Sequence, residues 1–242
     1  MTRPAMRLPA LAALAAAALL AACSTPPDHF HTLRPALAST QAGTPGSARE
    51  VGRVLAIGPV TVPQSLARNE WVVRTGATGA QVYDHQLWTQ DLGADVAQSV
   101  VDYLDRAALP DGLRPDAGPT GSGSGADLER PATLRVRLQV LRLDSVLAPA
   151  PAVSDQLRWT LECLPSDPAL GPVDAGRYRV LRSAVREVAG PAPAADTALE
   201  ESQQRFDRVA RAHSDAVRQL ADDIAAALRA SADQRARDCV VR

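Results

Sequence analysis

The chain contains no lysine; all 26 of its basic residues are arginine, set against 27 acids, for a formal charge of -1. That balance provides no field to gather a polyanion, and eight aromatics (three Trp, three Tyr, two Phe) are too few to interleave with a basic patch. Nucleic-acid binding therefore has no support. Beyond the N-terminus no stretch approaches the roughly 20 apolar residues that a spanning helix needs, which excludes an integral transporter. Enzyme signatures are missing too: there is no Gly-x-Ser-x-Gly elbow, no His-Glu-x-x-His, no phosphate-binding glycine loop before a helix and no paired Cys-x-x-Cys. What remains is 242 residues, 46% hydrophobic and 22% charged, enough for one globular domain or two small ones.

The N-terminus carries an address. Arg3 and Arg7 precede an apolar run from Leu8 to Ala22, interrupted by Pro9, in the charged-then-greasy order of a secretory signal peptide. The run closes on Leu20-Ala21-Ala22-Cys23, a lipobox in which small residues fit the signal peptidase and the thiol accepts a diacylglyceryl group. Residues 1–22 would be removed and Cys23 would become an acylated first residue. Several acyl chains give a lasting hold, whereas one holds only marginally. The alternative is an uncleaved or ordinary secretory signal in which Cys23 is incidental. Ser24 stands where inner-membrane retention usually places Asp, so delivery to the outer membrane is expected. Removing two Arg leaves 24 basic and 27 acidic groups, a net charge of about -3, facing the oxidising periplasm.

With Cys23 acylated, Cys163 and Cys239 remain, a pair able to form a disulfide in that compartment. The alternative is a buried Cys163 and a free, frayed Cys239; neither has a base beside it in sequence to make a nucleophile.

Residues 23–49 read as a lipidated N-terminus and tether rich in Pro, Ser, Thr and Gly, with a first short strand at Phe30-His31-Thr32-Leu33. Val51 to Val62 is β-rich with a bend at Gly58-Pro59, and Trp71 to Arg74 and Gln81 to His85 flank a turn to make a hairpin. Leu92, Val96, Val100, Tyr103 or Leu104, and Ala107 recur at helical spacing, ending near Pro110. Residues 110–132, with Gly121-Ser122-Gly123-Ser124-Gly125, are expected to be a flexible loop. Alternation then resumes at Leu134, Val136, Leu138 and Val140, slips phase at Leu141 as a bulge would, and continues through Leu157, Trp159, Leu161 and Cys163, then Tyr178 and Val180. Phe206, Val209, His213, Val217, Leu220, Ile224 and Leu228 form the apolar stripe of a last helix. The expected fold is a two-layer α+β sandwich, a mainly antiparallel sheet covered on one face by two helices, over residues 50–230, with a C-terminal tail at 231–242.

Few constellations suggest chemistry. Asp28-His29-Phe30-His31 places two imidazoles and a carboxylate close together, but i and i+2 on a strand do not assure a third ligand, so no metal, no cofactor and no catalytic residue is expected. Arg135, Arg137, Arg158, Arg177 and Arg179 fall on the polar faces of adjacent strands, where guanidinium forks suit phospholipid headgroups or acidic partner residues. The alternative is a solvated face balanced by Glu162 and its neighbours.

The order of these pieces resembles the ABC-type transport auxiliary lipoproteins, the PqiC-like proteins that accompany MCE-domain lipid transporters. The residues that carry the likeness are Cys23-Ser24, Phe30-His31-Thr32-Leu33, Ile57-Gly58-Pro59-Val60-Thr61-Val62-Pro63 with Leu66 and Arg68, Val72-Val73-Arg74, Leu87-Trp88 with Leu92 opening the first helix, and Leu220-Ala221-Asp222-Asp223-Ile224. His31 stands where the family has an aromatic, and His213 where the stripe is usually apolar. The resemblance implies a non-enzymatic periplasmic domain tethered to the outer membrane, supporting membrane integrity, with an MCE protein and its separate permease and ATPase as partners. Self-association, a role beside an outer-membrane β-barrel, and direct carriage of lipid are further readings.

Overall fold

The computed structural model describes residues 26–34, 54–107, 109–116, 134–163, 178–192 and 202–239. The signal run, Cys23, Arg177 and most of the 110–132 segment lie outside them.

Alternating apolar residues make three long strands: β6 (Leu134–Val146), β7 (Ala152–Cys163) and β8 (Arg179–Pro191). They pair antiparallel in sequence order, with the expected bulge in β6 between Val140 and Arg142. The free edge of β6 is shared by two shorter groups. Near its start lies β2 (Val54–Ile57), parallel to it and flanked in turn by β5 (Arg114–Asp116). Near its end lies β3 (Glu70–Arg74), which forms a hairpin with β4 (Ala80–Trp88), and β1 (His29–His31) adds parallel to β4 at the outer edge. The eight-stranded sheet is open and, by length of pairing, mostly antiparallel.

Two helices cover one face. α1 (Leu92–Arg106) is capped by Asp91, whose side chain accepts the Ala94 N–H at 3.1 Å, and it carries Asp95 in its first turn and Arg106 in its last, as the helix dipole favours. Gly93 allows it to sit close to the β2–β3 connection, since a Cβ there would lie 3.0 Å from the Val60 carbonyl oxygen. α2 (Ser202–Ala230) buries all seven residues of the stripe read from the sequence. The fold thus agrees with the expected α+β layering.

Half of the scarce aromatics gather at one place between sheet and helix. Trp71 and Trp88 stack at 4.4 Å, Phe206 meets Trp71 edge-on at 5.5 Å, and Tyr83 meets Phe206 at 5.0 Å. His31 completes this cluster, edge-on to Trp71 at 4.8 Å, which is why an imidazole serves where an aromatic ring was expected.

Two readings need correction. The 110–132 loop is not wholly irregular: Leu113 is buried and β5 follows it, so burial of one leucine and three residues of pairing with β2 offset the ordering of that stretch. Residues 231–239 are not a loose tail, because α3 (Ala232–Asp238) packs back on the end of α2 with Arg235 buried. Leu87 and Trp88 end strand β4, and Leu92 opens the first helix as expected.

Candidate functional site

The segment after the expected lipidation site is built into the domain. The buried carboxylate of Asp95 accepts the Leu33 N–H at 2.7 Å through one oxygen and the Thr32 hydroxyl at 2.9 Å and Gln90 amide at 3.2 Å through the other. Ser214 on α2 donates to the Leu33 carbonyl at 2.8 Å, and the His31 carbonyl accepts the Thr89 N–H at 2.9 Å. Leu33 is fully buried. Asp102 holds the Arg34 guanidinium above its ordinary pKa, first through their 2.8 Å hydrogen bond and then through Coulombic attraction. Residues 29–34 are therefore a fixed strut bonded to both helices.

The carboxylate and imidazoles of Asp28-His29-Phe30-His31 do not converge on one point. Asp28 pairs with His85 at 2.8 Å, while His31 is turned into the core with Nε2 on Gln86 at 2.7 Å. Among the described residues no group of three or more ligating side chains is placed to hold an ion.

The face of the sheet away from the helices carries Arg135, Arg137 and Arg158. Arg135 donates to Glu162 at 2.6 Å, Arg137 donates to the other oxygen of the same carboxylate, and the Arg135 guanidinium lies 3.4 Å from the centroid of the Tyr178 ring. Glu162 is fully buried beneath them, whereas the Arg137 side chain is 62% exposed. Arg158 donates to Gln139 at 3.3 Å; Arg179, expected on the same polar face, is instead opposite Cys163 on the helix side, where it pairs with Asp238 on α3 at 3.5 Å. Of the four described arginines, two form a cluster around one carboxylate and two stand apart.

The sequence reading missed a second polar cluster. Asp155 on β7 lies 2.8 Å from His213 Nδ1, His213 Nε2 lies 2.8 Å from Ser145 Oγ on β6, and Trp71 Nε1 donates to that same Oγ at 2.8 Å. A Ser-His-Asp connectivity of this kind serves nucleophilic catalysis when the serine faces a cleft. Here Ser145 is 1% exposed and its oxygen is already occupied by the indole, so the arrangement satisfies buried polar groups across β3, β6, β7 and α2. The available signal was phase: Ser145 and Asp155 are polar residues at inward-facing strand positions, and His213 sits on the apolar stripe.

Cys163 at the end of β7 and Cys239 after α3 are joined by a disulfide, with Cα atoms 5.7 Å apart and a sequence separation of 76. The bridge holds α3 against the sheet.

A mixed sheet with two helices on one face and an N-terminal strut defines a class of small α+β domains. Protein XCC0632 from Xanthomonas campestris, assigned to the DUF330 family, shares this fold with a TM-score of 0.54 at 17% identity, over 86% of this chain and 98% of that one. More distant are a hypothetical protein from Chlamydia trachomatis (TM-score 0.42, 12% identity, 74% of this chain and 99% of that one) and lipoprotein GNA1162 from Neisseria meningitidis (TM-score 0.30, 12% identity, 70% and 99%). No curated protein matches the sequence. Residues 31–225 match the family described as the ABC-type transport auxiliary lipoprotein component, and the chain belongs to that family. Among the described residues no helix is long and apolar enough to cross a membrane.

Proposed function

We propose that this protein is a non-enzymatic adaptor, held on the periplasmic face of the outer membrane by acyl chains on Cys23, that docks an MCE-type lipid-transport complex there and supports membrane integrity. The observation that carries the reading is the family match from residue 31 onward, directly behind the Leu20-Ala21-Ala22-Cys23 lipobox. Anchoring raises local concentration, so a weak docking surface suffices. The partners are an MCE-domain protein with its permease and ATPase, and a second copy of the chain is compatible with the reading. Of Arg135, Arg137, Arg158, Arg177 and Arg179, the exposed members of the open face are proposed to meet acidic partner residues or headgroups, and exchanging all five for Gln should weaken that binding.

Crosslinking from the β3–β4 hairpin of the full acylated chain in its native envelope tests the docking role. Capture of an MCE subunit supports it. Capture of an outer-membrane β-barrel instead, or phospholipid co-purifying without detergent, would replace it with an assembly or carrier role.

A further inference from the structure

We propose that the open face of the β1–β4 edge, led by Phe30, rests on the phospholipid surface that holds the Cys23 acyl chains, so that the domain has one fixed orientation on its membrane. This rests on the anchoring reading of Cys23.

Phe30 is 63% exposed, more than any other large hydrophobic side chain described. Strand alternation explains its direction: His31 points into the aromatic cluster under α2, so Phe30 points to the face without helices. Opposite it in register is Leu87, only partly buried, and further along the same face Val82, 38% exposed, is opposite Val72. The ring has no route into the core. Leu33, three residues on, is fixed by Asp95 and Ser214, and the His31 carbonyl is fixed by Thr89.

Chain length supplies the occupant. Seven residues lead from Cys23 to Phe30, so whatever path they take, the ring's backbone lies within about 25 Å of the acylated residue. Pro26 and Pro27 stiffen that short span. By contrast β8, which carries the exposed Val180 and Val185, lies five strand spacings across the sheet, roughly 24 Å farther away. An aromatic ring held rigidly beside a lipid anchor matches the side chains that settle at the headgroup level of a bilayer.

The test uses the full acylated chain in vesicles of phosphatidylethanolamine and phosphatidylglycerol, with bromine on the acyl chains in one set. Trp71, Trp88 and Trp159 are all buried, at 1%, 4% and 2% exposure, so they give a constant background for a reporter. Phe30→Trp should lose about half or more of its added emission to the brominated lipid and be shielded from aqueous acrylamide, while Val185→Trp responds to acrylamide alone. No other protein is present, so lipid must be the quencher. A protein that floats with the vesicles but leaves the Phe30→Trp reporter as open to acrylamide as the Val185→Trp one overturns the orientation and leaves the anchor intact. A protein that stays in solution with an unmodified Cys23 overturns both.

Discussion

Asp155 and Glu162 lie seven residues apart on β7, both are withdrawn from water, and they face opposite sides of the sheet. On the helix-covered side Asp155 meets a single imidazole, and its second oxygen has no hydrogen-bond partner among the described residues. On the open side Glu162 is gripped through both oxygens by two guanidinium groups whose stems form its roof. The difference is one of supply. Beneath the helices every partner must itself be buried, so satisfying one carboxylate draws in His213, Ser145 and Trp71 from three other elements. On the open side, long arginine stems provide cover while their heads stay partly wet. Loss on the covered side should therefore spread through the fold, and loss on the open side should remain local.

His213→Ala breaks the covered network most severely, leaving a buried charge and a cavity together, and should cost about 5 kcal/mol in urea unfolding of the soluble domain. If it costs less than the open-side variants, the contrast fails. Removing the disulfide beside Glu162 by Cys163→Ser with Cys239→Ser should cost about 4 kcal/mol, from the chain entropy of a loop of this length. Dithiothreitol should lower the Tm of the parent protein and leave the double variant unmoved. Glu162→Gln should cost about 2 kcal/mol, because the arginines left behind can turn to water. Arg137→Gln should cost less than about 1 kcal/mol, since its side chain is mostly solvated. A double-mutant cycle between Arg137 and Glu162 would show whether Arg135 alone holds the carboxylate.

Much of the layering was legible from period. Leu134 to Val140 and Leu157 to Cys163 alternate with polar residues and became β6 and β7, and the phase slip at Leu141 became a bulge. The stripe from Phe206 to Leu228 became the buried side of α2. Pairing partners were not legible, because β1, β2, β3 and β5 are short and their parallel pairings join residues far apart in sequence. The buried relay was hidden for the same reason. Ser145, Asp155 and His213 are each unremarkable in sequence, and only tertiary packing brings them together. The arginine pattern was visible, but the burial of Glu162 that divides it into two paired and two separate groups was not.

The clamp of Asp95 on Leu33 also makes the molecule a mechanical coupling. On the proposed anchoring, drag between a bilayer and a docked partner would pass through one short strand, and because β1 runs parallel to β4, tension along its axis would load their hydrogen bonds in shear, all at once. Force would enter the body at the foot of α1, beside the stacked tryptophans.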